Sequence, residues 1–274
     1  MDEDSYRDEQ LVELYDSGNA ARDDHEYYRT LADAIEANKI LDFGCGTGLL
    51  TRALATPRRV VIGVDPSATM LGYARRQPGA EAVIWIDGDA TAIEGAGDAD
   101  LVVSSGNTMM HLSPAAYPWV LSSLSEALRP GGVISFESRN PGARAWAHWY
   151  RSETYTEREI PSGHLCEWLD VTEVDHGRVV FDAHNVFQDG REAVYTSVLY
   201  FRAAEEITSD LERAGFGDIQ VRGGWRNEPV ADHSSTLLFQ AKNGSTVRST
   251  HRMPSIERSR YGRCGICGGR WVGH

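Results

Sequence analysis

Short, wholly apolar runs alternate with amphipathic stretches over the first half of the chain. Residues 9–37 carry apolar positions at helical spacing, among them Tyr28, Leu31 and Ile35. They predict one or two helices, with Asp23 and Asp24 placed to cap and charge the start of the second. Strands and helices then take turns: strand 40–43, helix 47–55, strand 60–64, helix 67–76, strand 82–86, strand 101–103, helix 115–128 and, after a Gly131-Gly132 turn, strand 133–136. The strands are continuous in apolar residues, which means burial on both faces. That predicts a parallel sheet covered by helices on each side, a doubly wound α/β domain.

The period changes at 163. Leu165, Trp168 and Val171, then Val179 and Phe181, then Val194, Tyr195, Val198 and Tyr200 lie in segments of period-two character. Turn signals fall between them at His176-Gly177 and Asp189-Gly190, and the segment to 201 reads as an antiparallel meander. A helix over 204–214 closes at Gly215, and strands over 219–221 and 237–241 complete the domain. From 243 onward Arg, Ser and Gly dominate without periodicity. The chain therefore divides into a domain over 1–242 and a tail over 243–274, expected to be disordered.

Charge narrows the partners. The net charge is −13, but the tail holds six Arg and one acidic residue, so residues 1–242 carry −18. Such a body repels a phosphate backbone, which argues against nucleic acid and for a neutral or cationic small molecule. No apolar run reaches the eighteen or so residues of a spanning helix, and the acidic start Met1-Asp2-Glu3-Asp4 is no secretory signal, so a cytoplasmic protein without membrane partners is expected. Of the four Cys, Cys45 sits in a glycine-rich loop, Cys166 on a strand, and Cys264 and Cys267 form a lone C-x-x-C in the tail. The set is incomplete for zinc and gives no disulfide framework, so no metal is expected.

The chemistry centres on Ile40-Leu41-Asp42-Phe43-Gly44-Cys45-Gly46-Thr47-Gly48, where a buried strand runs through three glycines into a helix. The glycines allow a sharp turn and close ligand approach, and the helix start offers free N–H groups. Asp65 ends the second strand 17 residues past Gly48, where a carboxylate can take both hydroxyls of an adenosine ribose. Asp87-Gly88-Asp89-Ala90 follows the third strand, where a carboxylate can take an adenine amino group. Asp42, just before the glycines, suits a cationic amino-acid head group better than a pyrophosphate.

These segments resemble the signature motifs of class I S-adenosylmethionine-dependent methyltransferases. The glycine run resembles the first motif, Val64-Asp65-Pro66-Ser67-Ala68-Thr69-Met70-Leu71 the second, Gly88-Asp89-Ala90 the adenine segment, and Leu128-Arg129-Pro130-Gly131-Gly132-Val133 the turn before the fifth strand. The resemblance covers residues 38–138. It implies a seven-stranded Rossmann-like sheet with the last strand antiparallel, and S-adenosyl-L-methionine as cofactor. It implies a cofactor lining of Asp42, Gly44, Cys45, Gly46, Gly48, Asp65, Pro66, Met70, Asp89, Ala90 and Ser105, with Tyr15 as the aromatic residue from the N-terminal helices. The antiparallel insert at about 151–202 resembles the lid of small-molecule methyltransferases. Toward the methyl acceptor, His111 is the candidate general base, and Asn107, Glu137 and Arg139, at strand C-terminal ends, are candidate substrate contacts. Each has a plainer reading as a capping, packing or loop residue. Trp146, Trp149, Trp168 and Tyr195 wall a pocket or fill core.

Two rival functions fit less well. A nicotinamide-dependent dehydrogenase needs G-x-G-x-x-G, whereas Leu49 stands where the third glycine would fall. A cofactor-binding protein without catalysis would keep the same binding residues, and only turnover separates it from an enzyme. Among methyltransferases, those acting on exocyclic amines of nucleic acids carry an Asn/Asp-Pro-Pro-aromatic segment, and this chain has Ser104-Ser105-Gly106-Asn107. The exposed edge of the meander suits pairing in a homodimer.

Overall fold

The computed structural model describes residues 5–18, 23–93 and 97–244, with the side chains of 17 and 18 outside the description. In chain order they form α1 (Glu9–Gly18), α2 (Asp23–Ala34), β1 (Lys39–Phe43), α3 (Leu49–Leu54), β2 (Val60–Asp65), α4 (Ala68–Ala74), β3 (Val83–Asp87), β4 (Ala99–Ser104), α5 (Ala116–Ala127) and β5 (Leu128–Arg139). Then follow α6 (Arg151–Thr154), β6 (Thr156–Ile160), β7 (Gly163–Asp175), β8 (Arg178–Phe187), β9 (Glu192–Tyr200), α7 (Ala204–Arg213), β10 (Phe216–Arg222) and β11 (Thr236–Asn243). No helix among the described residues is long and apolar enough to cross a membrane.

The main sheet has seven strands in the order β10-β11-β5-β4-β1-β2-β3. β1 to β5 pair in parallel, and β11 runs antiparallel to both of its neighbours. The order reverses between β4 and β1, and open α/β sheets bind ligands at such a switch point, beyond the strand C-termini. Both faces are buried. Leu41, Phe43, Val102, Ile134 and Phe136 pack with α5 and α7, and Ile40, Val61, Leu101, Val103 and Val133 with α2 and α3. Alternation therefore places Asp42, Asp65 and Glu137 on the second face, under α2 and α3.

The meander forms a separate sheet, β6-β7-β8-β9, wholly antiparallel. It begins earlier than its hydrophobic pattern, because Thr156–Ile160 adds a polar edge strand. β5 also begins earlier. Leu128 pairs with Ala99 and Val133 with Leu101, so Arg129-Pro130-Gly131-Gly132 bulges out within one strand instead of preceding it. At the far end Asn243 belongs to the domain and not to a tail. It is 4 % exposed, and its amide donates to the carbonyls of Ser125 and Leu128 at 2.9 and 3.2 Å. The remaining tail, with Cys264 and Cys267, lies outside the described residues.

Candidate active site

β1 ends in a loop whose three glycines, Gly44, Gly46 and Gly48, have φ of 74°, 54° and 71°. The Gly44 and Cys45 N–H groups both donate to the Val64 carbonyl, at 2.8 and 3.1 Å, docking the loop on the end of β2. Asp65, fully buried, accepts the Gly46 N–H on Oδ2 and the Ser67 N–H on Oδ1, each at 2.8 Å. One carboxylate thus ties the glycine loop to the start of α4. Gly48 is fixed by sterics as well as φ: a Cβ there would lie 2.2 Å from the ring of Trp85 on β3. Gly48→Ala should therefore cost at least ~2 kcal/mol, from left-handed strain plus the clash. Thermal melts check it, and an unchanged melting temperature would mean that the loop is not held as described.

Asp42 lies beneath this loop rather than on its surface. It is 1 % exposed, Oδ2 accepts the Thr51 hydroxyl at 2.7 Å, and Oδ1 has no hydrogen-bond partner among the described residues. Burial pushes its carboxyl up to about 7, against the Thr51 bond, with the charges of Asp65 and Glu137 adding to the rise. Glu137 does not stand free to meet an acceptor. It is 3 % exposed, Oε2 accepts the Tyr28 hydroxyl at 2.5 Å, and Oε1 accepts the Asn107 N–H at 2.9 Å. Burial likewise lifts it to about 7. Three acids therefore gather on one face beneath the strand C-termini.

A raised carboxyl stabilises the fold in its protonated form. The contribution of Asp42 is complete below its unfolded value of 3.8 and is lost as pH rises through about 7. Thermal melts of wild type and Asp42→Asn from pH 5 to 8 (around the carboxyl's value,) should show wild type losing stability relative to the variant as pH rises. A difference independent of pH would contradict the placement.

The other expected cofactor residues are distributed around the loop. Ala90 is fully buried, while Asp89 is half-buried and spends Oδ1 on the Thr91 N–H and hydroxyl, at 2.9 and 2.7 Å, capping the turn Ala90–Ile93. Pro66 is half-buried between Asp65 and Ser67. Met70 is buried among Val12, Tyr6, Tyr15 and Tyr73, so Tyr15 lies in an aromatic cluster between α1 and α4. Burial raises the Cys45 thiol well above the usual thiol range, which makes it a poor nucleophile. The Ser105 carbonyl accepts the Thr108 hydroxyl at 2.7 Å, and Asn107 adopts a left-handed φ of 62°. Arg139 stacks over Trp149 at 5.4 Å.

His111 closes a 3-10 turn, Thr108–His111, just beyond the switch point. It is 7 % exposed, and its ring meets that of Tyr6 edge-on, with centroids 6.4 Å apart. The Tyr6 carbonyl accepts the Ser67 hydroxyl at 2.7 Å, so Tyr6 stands between the Asp65–Ser67 corner and His111. The turn is held from behind by Arg202, 5 % exposed, which donates to the carbonyls of Met109 and Leu112 at 3.5 and 2.5 Å.

Residues 40–132 match the family described as a methyltransferase domain. Over those residues the chain carries a methyltransferase domain. The matched residues contain the glycine loop, Asp65, Asp89 and His111, while the lid sheet lies beyond them. The chain is 33 % identical over 192 residues to a biotin biosynthesis bifunctional protein of Cellvibrio japonicus, a match that covers 68 % of this chain and 34 % of that protein. The chain thus spans about a third of the length of this curated relative. Among solved structures, the CcbJ methyltransferase from Streptomyces caelestis superposes with a TM-score of 0.74 at 18 % identity, over 89 % of this chain and 100 % of the other. The sugar N-methyltransferase KedS8 from Streptoalloteichus sp. gives 0.68 at 18 %, over 85 % and 92 %. At these identities they show the fold alone, and they extend the likeness beyond the family match to most of the chain.

Several side chains that shape the methyltransferase domain's site carry no signal in the sequence. Tyr28 reads as one apolar position of a helix, and only the sheet brings it to Glu137. Tyr6 precedes any periodic segment. Trp85 falls in an apolar strand, where its size is the sole hint that it fills the space over two glycines, Gly48 and Gly63. Asp16 accepts the Thr47 hydroxyl at 2.5 Å and so clasps α1 to the glycine loop, a pairing across 31 positions that no spacing rule reaches.

Proposed function

We propose that this chain transfers a methyl group from S-adenosylmethionine to a nitrogen or oxygen nucleophile of a small molecule held between the sheet's switch point and the lid. The observation that carries the reading is the left-handed glycine loop tied through Asp65 to α4, facing His111 across Tyr6. The residues suit the cofactor. The glycine loop is closed to side chains at Gly48, and beneath it Asp42 keeps Oδ1 without a hydrogen-bond partner among the described residues. When bound, the sulfonium supplies a methyl group that needs no further activation. The chain's own task is then to orient the acceptor in line, keep water out and take up the acceptor's proton. Gly44, Gly46, Gly48, Asp65, Ala90 and Ser105 line the cofactor in this reading, and Asp42 acts from beneath. His111 takes the proton, and Asn107 and Arg139 border the acceptor.

The acidic body and the lid favour a small acceptor over nucleic acid, in the cytoplasm. The outer edges of β6 and β9, which pair with no further strand among the described residues, suit a homodimer. The test is to incubate the protein with methyl-labelled cofactor and separate pools of small metabolites, nucleic acid and protein. Label should appear in a small organic product. Label in a polymer, or in nothing while the cofactor still binds, would overturn the reading.

A further inference from the structure

The lid sheet turns one face toward the rest of the domain, and strand alternation fixes what lies on it. Pairing aligns Glu167 with Asn185, Asn185 with Ala193, and Ala183 with Tyr195, so these side chains share that face. Both ends of the face are covered. At one end Leu165, Phe187 and Ala193 pack on Leu11 and Leu14 of α1. At the other, Leu169 and Leu199 join Met110 and Trp149. Between the two apolar clusters runs a polar band of Glu167, Asn185 and Tyr195, exposed by only 8 %, 4 % and 9 %. Burying such groups is costly unless something uses them.

The hydrogen-bond arithmetic of the band is one-sided. Asn185 Nδ2 donates to the carbonyls of Ala183 and Ala193, both at 3.3 Å, which fixes the amide's orientation. Its Oδ1 accepts no hydrogen bond among the described residues. Glu167 accepts Arg158 Nε at 2.6 Å and Nη2 at 3.3 Å, one on each oxygen, leaving each a second lone pair. Tyr195 spends its single proton on Asp8 Oδ2 at 2.8 Å and so has no donor left to offer. Of the cations around the band, Arg158 is matched by Glu167 and Arg191 by Asp8, while Arg139, which borders the acceptor, is stacked over Trp149 in the adjoining cluster. Position follows from the same contacts. Asp8 is two residues from Tyr6, and Met110 in the adjoining cluster precedes His111, so the band overhangs the Tyr6–His111 pair.

We propose that this band is an acceptor-recognition subsite that takes a donor-rich molecule, a polyol or amino-polyol, and rejects one whose polar groups are carboxylate or phosphate. The inference rests on the methyltransferase reading above. The three side chains of the band present acceptors and no cation of their own, so they pair with hydroxyl and amine protons and repel anions.

Thermal melts test it, with S-adenosylhomocysteine saturating and with glucosamine, sorbitol, glucuronate or glucose 6-phosphate added in the millimolar range. Glucosamine and sorbitol should raise the melting temperature, and the two anions should not. Asn185→Ala and Glu167→Gln should weaken glucosamine binding by about tenfold, the loss of one or two polar contacts, while keeping the response to S-adenosylhomocysteine. If one variant fails to fold, the other carries the test. Anions binding as well as glucosamine, variants binding it as wild type does, or no response to either donor-rich probe would each overturn the subsite. A wild-type protein that does not respond to S-adenosylhomocysteine would instead overturn the functional reading beneath it.

Discussion

Replacing His111 with Ala should lower turnover roughly 10²–10⁴-fold with an acceptor that loses a proton on attack. The ring is nearly buried at the end of a turn pinned by Arg202 and faces Tyr6, so its place is set by the fold. A general base acts only when neutral, so turnover should rise with pH as His111 gives up its proton. The variant should lose that limb while its affinity for S-adenosylhomocysteine stays within about twofold, since the role lies toward the acceptor. Two other groups titrate nearby, Asp42 and Glu137, both lifted to about 7 by burial. The profile of Glu137→Gln separates them, because it should keep the limb that His111→Ala loses. A His111→Ala enzyme within a few-fold of wild type, with the limb intact, would leave positioning alone as the source of rate.

Asp65→Ala should weaken cofactor binding at least tenfold. The carboxylate holds the Gly46 and Ser67 N–H groups at 2.8 Å each from a fully buried position. Hydrogen bonds to a charged group are worth ~1.5–3 kcal/mol apiece, and losing both leaves two buried N–H groups unsatisfied and the loop untied from α4. Asp65→Asn keeps acceptor capacity on one side and should fall between wild type and Asp65→Ala. Calorimetric titration with S-adenosylhomocysteine measures both. A dissociation constant unchanged in Asp65→Ala would mean that neither the ribose nor the loop depends on this side chain.

The fold was legible where burial writes a period into the chain. The runs at 40–43, 60–64 and 101–103 are apolar because both faces of β1, β2 and β4 are covered, and the D-G and H-G turns mark the meander because tight hairpins need those residues. β6 escaped, since Thr156–Ile160 is an edge strand with mostly polar, exposed positions and leaves no period to read. The bulge of Arg129–Gly132 within β5 escaped because a Pro-Gly-Gly run looks the same as a turn and as a bulge.

Within the site, the glycine turn and an acid at the end of β2 were readable because turn geometry and a fixed spacing constrain residue type locally, but the expectation put Asp65 on the ribose hydroxyls, whereas the structure buries it and spends both oxygens on the Gly46 and Ser67 N–H groups. Asp42 and Glu137 were read as acids at strand ends open to a ligand, and the structure buries both. Alternation sends both beneath the loop, where Thr51 and Tyr28 meet them. Partners that distant in sequence leave no local trace. The polar band of the lid was hidden for a related reason: Glu167 and Asn185 look like outward positions until the register shows them facing in.

On the proposed reading, the glycine loop and Asp65 build a site for S-adenosylmethionine. Isothermal titration of the protein with S-adenosylhomocysteine, and separately with NAD, tests it most directly. S-adenosylhomocysteine should bind stoichiometrically, and NAD should give no heat. Binding of NAD with none of S-adenosylhomocysteine would contradict it.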